Sequence, residues 1–303
     1  MTQINICLAC DDNYSKYAGV VIASILANAK PENKHIFYIL DGGISQENMD
    51  KIISLKQLKE CKIHFIKVDD SQFEMYKNIQ THKYVTLQTY YRLKLSQILP
   101  EVDRIIYLDC DIIVNDDLEE LFTTNLHNNV IAGALDIRVF GKKAWKGTNY
   151  INAGMVLFDL KKFRQENIEN IFYEYTKNNF DKIKTGDQDI INFSLEGRIE
   201  IVSDVWNVQS SNFTNRSSYT KKPKIIHFVA KKKPWHFGSF SYHRNYYFKY
   251  LQLTPWALKE EEKDYWYRQN QIASLINYVK YRPLFMFRPK FYKALYYTYI
   301  KKS

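Results

Sequence analysis

The sequence has no long hydrophobic run, since no segment reaches the roughly 18 consecutive apolar residues of a transmembrane helix. It begins without the basic segment and apolar stretch that form a secretory signal peptide. Its four cysteines form neither a disulfide framework nor a zinc-binding pattern. Cys7 and Cys10 make a C-x-x-C motif, but their spacing within the apolar segment Ile4–Cys10 places them on opposite faces of a strand. We therefore expect buried structural thiols in a reducing, cytoplasmic protein.

Acidic residues are missing from the segment Tyr265 to Ser303, which holds eight Lys or Arg and twelve aromatic residues. The chain of 303 residues has a formal charge of +10, but the part before Tyr265 has 35 basic against 33 acidic residues. This asymmetry argues against nucleic-acid binding by the body of the protein. A basic, aromatic tail is typical of peripheral contact with an anionic membrane, here the inner face of the cytoplasmic membrane. Packing of the aromatic residues on the body is an equal alternative.

The region after residue 245 is predicted to be helical. Apolar side chains recur at helical spacing and two prolines follow them, at Ile272, Leu275, Ile276, Val279, Pro283 and Pro289. No Gly/Ser-rich linker, low-complexity tract or repeat divides the chain before this region. We therefore predict one domain over residues 1–245 and a helical, basic and aromatic region over residues 246–303.

Strand-like and helix-like segments alternate through the N-terminal half, which is typical of an α/β protein with a mostly parallel sheet. Strands are predicted at Ile4–Cys10, His35–Leu40, Lys62–Val68, Arg104–Leu108, Val130–Leu135, Gly154–Asp159 and Ile225–Val229. Helices are predicted at Tyr17–Asn28, Gln46–Lys59, Thr89–Gln97 and Leu160–Asn178, with another starting near Asp187. Ligands of such sheets bind beyond the carboxyl ends of the strands.

Two aspartates separated by one residue, Asp109 and Asp111, follow the apolar strand Arg104–Leu108. Side chains of an extended strand alternate, so both carboxylates point the same way and Cys110 points the other way. Close carboxylates repel each other, and a shared Mg²⁺ or Mn²⁺ that also carries phosphates is a natural reason to place them together. A helix cap or a solvated turn is the alternative for an isolated triplet of this kind.

Six motifs in a fixed order surround this pair: Ala9-Cys10-Asp11-Asp12-Asn13-Tyr14, Tyr90-Tyr91-Arg92-Leu93, Tyr107-Leu108-Asp109-Cys110-Asp111, Asn152-Ala153-Gly154, Asp187-Gln188-Asp189, and His227 with Lys233-Pro234-Trp235. From about Ile4 to His236 the chain resembles glycosyltransferase family 8. Its members are retaining enzymes that include bacterial lipopolysaccharide galactosyl- and glucosyltransferases and the glycogenins. The resemblance implies a GT-A fold, a Rossmann-like, mostly parallel mixed sheet flanked by helices, in a catalytic domain of residues 1–245.

The resemblance also implies a UDP-hexose donor that carries galactose or glucose. The acceptor would be a glycan, either the lipid-linked lipopolysaccharide or lipooligosaccharide or another cell-surface glycan. It implies Mn²⁺ held by Asp109, Asp111 and His227, with Mg²⁺ as the alternative; Mn²⁺ accepts an imidazole ligand better than Mg²⁺ does. The implied donor-binding residues are Ala9, Asp11, Asn13, Tyr14, Arg92, Asp109, Cys110, Asn152, Asp187, Gln188 and Lys233. Among these, Lys233 would contact the diphosphate. A helix cap is an ordinary alternative role for Asp11 and Asn13.

The catalytic candidates implied by the resemblance are Gln188, Asp187 and Asp136, with Gln188 and Asp136 facing the reaction centre or the acceptor. Gln188 stands where a covalent nucleophile would be expected, and a carboxamide is a poor nucleophile. We therefore favour front-face displacement through a short-lived oxocarbenium ion pair; the alternative is double displacement by Asp187 or Asp189. Two other functions stay open: a self-glucosylating protein similar to the glycogenins, and a catalytically silent relative that binds nucleotide sugars.

The loop after His227 departs from the family pattern at one position. Related bacterial enzymes commonly have glycine three residues after the histidine, where the backbone approaches phosphate closely, whereas this chain has Ala230. Alanine permits such an approach only if its φ angle stays negative. The resemblance therefore leaves the backbone contact of this loop with phosphate open.

Overall fold

The computed structural model describes residues 1–79, 86–137, 149–211 and 222–296, without the side chains of residues 260–267. The tail residues Tyr297, Lys301 and Lys302 lie outside these ranges. The described strands are β1 (Gln3–Cys10), β2 (Lys34–Asp41), β3 (Cys61–Lys67), β4 (Arg104–Leu108), β5 (Ile112–Val114), β6 (Ile131–Leu135), β7 (Ile151–Asp159), β8 (Ile199–Ile201), β9 (Val208–Gln209) and β10 (Ile225–His227). The described α-helices are α1 (Ser15–Asn28), α2 (Gln46–Ser54), α3 (Glu74–Lys77), α4 (Leu95–Ile98), α5 (Glu119–Phe122), α6 (Leu160–Gln165), α7 (Ile168–Asn179), α8 (Asp187–Ser194), α9 (Arg244–Leu251), α10 (Glu260–Tyr281) and α11 (Pro289–Leu295).

A seven-stranded sheet of order β3-β2-β1-β4-β7-β6-β8 forms the centre of the fold. Four of its six strand pairs are parallel, and β7 runs antiparallel to its neighbours β4 and β6. A small second sheet has the order β5-β10-β9, with β10 antiparallel to β5. The mixed, mostly parallel sheet flanked by helices confirms the predicted architecture.

Strand β1 is buried on both faces, as expected for the centre of a parallel sheet. Ile6, Leu8 and Cys10 pack in one apolar core with side chains of α1, whereas Cys7 packs in the opposite core with Tyr107. All four cysteines are free thiols, and the two of the C-x-x-C motif are buried. The prediction of structural thiols on opposite faces is therefore confirmed.

Three predicted helices differ from the structure. The helix predicted at Gln46–Lys59 ends at Ser54 and is followed by a 3₁₀ turn over Leu55–Gln57. Residues Leu87–Lys94 form a 3₁₀ helix ahead of α4, in place of the single α-helix predicted at Thr89–Gln97. Four consecutive side chains of this segment are buried, from Tyr90 to Leu93, so tertiary packing on every side overrides helical periodicity. The helix predicted at Leu160–Asn178 is divided into α6 and α7 because Asn167 adopts a left-handed conformation with φ of 51°. Strands β5, β8 and β9 were not predicted, since two or three residues are too short to show alternation.

Helix α9 packs on the body of the protein. Its Tyr247, Tyr250 and Leu251 are buried in a third apolar cluster with Val20 of α1 and Ile226 of β10. The predicted boundary at residue 245 falls inside this helix. The division into residues 1–245 and 246–303 stays a prediction.

Helix α10, as predicted, spans the apolar spacing of the C-terminal region, but it docks through polar side chains. Asn270 and Ser274 are buried, whereas Ile276 is 47% exposed. Asn270 Oδ1 accepts from the amide of Gly238 at 2.7 Å, and Asn277 Nδ2 donates to the carbonyl of the same glycine at 2.9 Å. Ser274 donates to the carbonyl of Ser239 at 2.7 Å. The helix thus satisfies the backbone of a loop that would otherwise bury unpaired groups.

The aromatic residues after α10 divide into a packed set and an exposed set. Phe285 lies edge-to-face against Tyr278 and Phe291, with ring centroids 4.7 and 5.9 Å apart. By contrast, Phe287 is 79% exposed, and the nearby aliphatic Leu284 is 75% exposed. Of the helices in the described residues, none combines the length and the apolar character that crossing a membrane requires.

Candidate active site

The carboxyl ends of β1 and β4 open into a cleft of about 530 Å³. Asn13 is exposed on the turn after β1 and does not line this cleft, and Asp136 is fully buried behind Gln188. Asp136 thus reaches the cleft through Gln188, and its expected place at the reaction centre or the acceptor stays a prediction. The cleft is lined by the other predicted site residues: Ala9, Asp11, Tyr14, Arg92, Asp109, Cys110, Asp111, Asn152, Asp187, Gln188, His227 and Lys233.

Three side chains converge on the floor of the cleft. The ligand atoms of Asp109, Asp111 and His227 all lie within 4.8 Å of one another. Nε2 of His227 is 3.1 Å from Oδ1 of Asp111 and 3.8 Å from Oδ2 of Asp109. The two aspartates occupy the turn between β4 and β5, and the antiparallel register pairs His227 with Ile112, next to Asp111. The small sheet thus brings the histidine to the acidic pair.

These three residues fit a divalent cation. Oδ1 of Asp111 is buried and receives no hydrogen bond from the described residues when Nε2 of His227 carries a lone pair. Gly154 leaves the required space, because a Cβ atom there would lie 2.2 Å from Cε1 of His227 and 2.9 Å from Oδ2 of Asp109. Two carboxylates and one imidazole form a donor set suited to Mn²⁺.

Lys233 also contacts the acidic pair, at Asp111. Its ammonium group donates to Oδ2 of Asp111, and to the carbonyl of Phe228 at 2.8 Å. Burial alone would raise the pKa of Asp111, but the charge of Lys233, joined by that of His227 when the imidazole is protonated, holds that pKa well below its usual value. Ala230 has a φ of +70°, in the region that favours glycine. Since negative φ was the condition for a close backbone approach to phosphate, alanine does not meet it here.

Arg92 connects the acidic pair to the start of α8. Its Nη2 lies 2.6 Å from Oδ1 of Asp109, and its Nε lies 3.1 Å from Oδ2 of Asp187. The guanidinium stacks 4.1 Å above the ring centre of Tyr107, and the arginine is only 2% exposed. Burial raises the pKa of Asp187 to about 6; Arg92 opposes this shift and the charge of Asp109 adds to it.

Both ends of the Gln188 carboxamide are held by hydrogen bonds, the oxygen by two donors and the NH₂ group by one acceptor. Oε1 accepts from the amide of Ala153 at 3.2 Å and from Nδ2 of Asn152 at 3.1 Å. Nε2 donates to Oδ2 of Asp136 at 3.0 Å. Because a backbone N–H fixes which end carries the oxygen, the orientation of this amide is determined by geometry.

The two aspartates that flank Gln188, Asp187 and Asp189, have different surroundings. Asp187 lines the cleft, but Asp189 does not. Asp189 accepts four hydrogen bonds of 2.5 to 2.8 Å, from the Tyr150 hydroxyl, the Thr185 hydroxyl and the amides of Lys184 and Thr185. It therefore shapes the turn ahead of α8, and Asp187 is the flanking carboxylate that reaches the cleft.

Two consecutive residues of β7 anchor this whole arrangement through their backbone. The carbonyl of Ala153 accepts from Arg92, and its amide donates to Gln188. The amide of Gly154 donates to Asn152 at 3.1 Å, and its carbonyl accepts from the amide of Asp109 at 2.8 Å. The sequence motif containing both residues was identified, but its spatial role was not.

Asn207 is a site residue that sequence reasoning missed. It is buried, and its amide lies 3.2 Å from Nδ1 of His227 and 3.0 Å from Oδ1 of Asn152. No motif contains it, so its buried polar character is the one signal that marks it, and burial cannot be read from a single sequence.

Comparisons with known proteins agree with this geometry. Residues 5–238 match the model of glycosyl transferase family 8. The chain is 32% identical to a putative glycosyltransferase of Haemophilus influenzae, across 77% of this chain and 73% of that protein. It is 26% identical to the lipopolysaccharide 1,3-galactosyltransferase of Salmonella typhimurium, across 84% of this chain and 80% of that protein.

The fold is similar to the crystal structure of the galactosyltransferase LgtC in complex with donor and acceptor sugar analogs. The TM-score is 0.75 at 27% identity, and the match covers 86% of this chain and 99% of that chain. The region that matches the family model contains every predicted site residue, from Ala9 to Lys233. The chain therefore has the GT-A fold, is a glycosyltransferase, and belongs to glycosyl transferase family 8.

Proposed function

We propose that the protein is a retaining hexosyltransferase that moves galactose or glucose from a UDP-sugar to a hydroxyl of a glycan acceptor, with Mn²⁺ as its metal and Mg²⁺ as the alternative. The observation that carries the proposal is one shared cleft. Asp109, Asp111 and His227 converge there beside the Arg92, Asp187 and Gln188 side chains. A site for the diphosphate thus adjoins a site for the sugar.

The names of similar proteins support the choice of substrates. The related structure of LgtC contains donor and acceptor sugar analogs, and its enzyme is a galactosyltransferase. Related curated proteins are lipopolysaccharide galactosyl- and glucosyltransferases. These relatives favour galactose or glucose on the donor and a cell-surface glycan as the acceptor.

Each residue of the cleft has a role in this proposal. Asp109, Asp111 and His227 would hold the cation. The ammonium group of Lys233 would leave Asp111 and contact the leaving diphosphate instead. When bound, the divalent cation would supply Lewis-acid stabilisation of the charge on that diphosphate. Arg92 keeps Oδ1 of Asp109 engaged, which leaves Oδ2 directed toward His227.

The proposed mechanism is front-face displacement, in which the leaving phosphate oxygen helps to deprotonate the acceptor hydroxyl. It is motivated by Gln188, whose carbonyl oxygen already accepts two hydrogen bonds and is a poor nucleophile. Asp187, with a pKa of about 6, is mostly ionised at pH 7 and would stabilise positive charge on the sugar. Trapping a glycosyl adduct on Asp187 of the wild-type protein would contradict this mechanism.

The function is tested by UDP release with Mn²⁺ over a panel of UDP-sugars, without and with candidate glycan acceptors. Asp109→Asn and Asp111→Asn should lower the rate at least about 100-fold, since each removes a charge from the cation site. Asp116→Asn is a matched control, because Asp116 is a half-exposed aspartate that pairs with Lys224 away from the cleft. Wild-type protein that releases no UDP from any donor would contradict the proposal.

Intact mass after incubation with UDP-glucose and Mn²⁺ separates transfer to an acceptor from self-glucosylation. Hexose added to the protein itself would contradict a separate glycan acceptor. An unchanged protein mass together with glycosylated acceptor is the expected result.

We also propose that the tail places the enzyme at an anionic membrane, where a lipid-linked acceptor would lie. The support is a surface on which Leu284, Phe287 and Tyr292 are 62% to 79% exposed. Arg288, Lys290 and Lys293 alternate with them and are also largely exposed. Aromatic rings suit the headgroup level, and each cation near an anionic surface contributes about 1 kcal/mol.

A further inference from the structure

The hydrogen bonds around Asn207 determine where each proton lies. The amide of Gly154 can only donate, so the atom of Asn152 that faces it at 3.1 Å is the oxygen. The atom of Asn207 that lies 3.0 Å from this same oxygen is then its NH₂ group. The oxygen of Asn207 therefore faces Nδ1 of His227, at 3.2 Å. Because that oxygen can only accept, Nδ1 of His227 carries a proton.

In the neutral imidazole, which is the form that binds a metal, a proton on Nδ1 leaves the lone pair on Nε2. Nε2 lies 3.1 Å from Oδ1 of Asp111, and 3.8 Å from Oδ2 of Asp109. Nε2 of His227, Oδ1 of Asp111 and Oδ2 of Asp109 then face one another. A cation bound between these three atoms would attract all of them. In metal sites the non-ligating nitrogen of a histidine usually donates to a fixed acceptor, and loss of that acceptor weakens metal binding.

We propose that Asn207 is a positioning residue that holds the proton on Nδ1 of His227 and so directs the Nε2 lone pair to the cation. Its own place is fixed by burial, since Asn207 and Asn152 are 2% and 3% exposed. Its NH₂ group also joins the cation site to Asn152, which donates to Oε1 of Gln188. The proposal rests on the metal dependence of the proposed function.

Titration with Mn²⁺ alone, followed by the electron paramagnetic resonance signal of the free ion, tests the proposal. Asn207→Leu removes the acceptor and should weaken Mn²⁺ binding about 10- to 100-fold. Asn207→Asp keeps an oxygen opposite Nδ1 and should bind Mn²⁺ close to wild type. Asn33→Leu is the matched control, since Asn33 is an equally buried asparagine that directly precedes β2 and does not line the cleft. If the Asn207→Leu variant folds and binds Mn²⁺ like wild type, the proposal is overturned.

Nitrogen-15 NMR of the metal-free wild-type protein gives a second readout that needs no variant to keep its fold. The His227 signal, assigned by its loss in His227→Asn, should show the proton on Nδ1. An imidazole protonated on Nε2 but not on Nδ1 would overturn the role of Asn207. By contrast, wild-type protein that binds no Mn²⁺ but shows the Nδ1 proton would contradict the metal dependence while leaving the hydrogen-bond assignment intact.

Discussion

At the scale of single residues, Gly154 makes the cation site possible because it has no side chain. Gly154→Ala would place a Cβ atom 2.2 Å from Cε1 of His227, and the histidine would have to move. We expect Mn²⁺ affinity to fall about 10- to 100-fold, the effect of losing a ligand's support, as measured by titration with the ion. Gly133→Ala is the control, since its Cβ would crowd Ile151 at 2.5 Å away from the cleft. Equal Mn²⁺ affinity in both variants would count against the site.

Ala230 has an unfavourable backbone conformation for its residue type. A left-handed φ of 70° costs alanine roughly 1–2 kcal/mol, and glycine avoids this cost but gains entropy in the unfolded state. Ala230→Gly should therefore raise the free energy of unfolding by about 0.5–1 kcal/mol in urea. Ala29→Gly, at a residue with φ of −71°, should lower it. If both substitutions destabilise the protein, the strain at Ala230 is not relieved by glycine.

His35 links stability to acid. Burial is the main cause that lowers its pKa to about 4, from 6.5, so the folded protein binds fewer protons than the unfolded chain between these values. The contribution of His35 to the free energy of unfolding is therefore fully present above pH 6.5. It falls as the pH drops toward 4, and about 2 kcal/mol of it is lost at pH 5. Urea unfolding at pH 7 and pH 5 should show a smaller loss for His35→Phe than for wild type. An identical loss would exclude His35 as a source.

The residues of the site were predictable to different degrees. Asp109 and Asp111 form a motif whose chemistry can be predicted from the sequence, His227 was implied by the family resemblance, and the structure brings the three residues together. Asn207 belongs to no motif, and Asp136, which the resemblance implied, is fully buried and contacts Gln188. Both act through partners distant in sequence, and no local pattern encodes such contacts.

At the scale of secondary structure elements, α10 shows how a helix docks by hydrogen bonds. Ser274→Ala would remove the buried hydroxyl that accepts from the half-buried Arg244 and donates to the carbonyl of Ser239, and should cost about 1–3 kcal/mol in urea unfolding. Ile276→Ala, on the exposed side of the same helix, should change stability far less. The reverse order of the two effects would mean that α10 docks through its apolar side chains.

Helix spacing alone could not identify that docking face. The apolar residues predicted the helix, but its partner, the Gly238 and Ser239 backbone, lies more than 30 residues away along the chain. The 3₁₀ segment Leu87–Lys94 was misjudged for a related reason, because its burial comes from several neighbours at once. Long strands such as β1 and β2 were predicted well since their pattern is local and strong.

At the scale of the whole molecule, the charge asymmetry predicts a separable tail. Deleting residues 281–303 should release the protein from anionic vesicles and leave UDP-sugar hydrolysis unchanged, because the described tail residues do not line the cleft. Co-sedimentation with phosphatidylglycerol vesicles measures the first effect, and phosphatidylcholine vesicles are the control. Unchanged vesicle binding after deletion would refute the anchor.

The overall architecture could be predicted from the alternation of strand-like and helix-like segments and from the order of the motifs, but the small second sheet could not. In the small sheet β5-β10-β9, strands β5 and β10 pair although more than 100 residues separate them, and this pairing brings His227 to Asp111. Its strands are too short to be predicted singly, and their pairing is non-local. The family resemblance indicated the metal ligands, but only the fold shows how they meet.

The anchoring by Ala153 and Gly154 constrains how such an enzyme can change its specificity. Their peptide groups set the positions of Asp109, Arg92 and Gln188 at once, so a shift of β7 would disturb leaving-group and sugar recognition together. The two functions are thus mechanically inseparable along this strand. New preferences for a donor or an acceptor have to arise from side chains that enter the cleft from other elements, while β7 itself keeps its position.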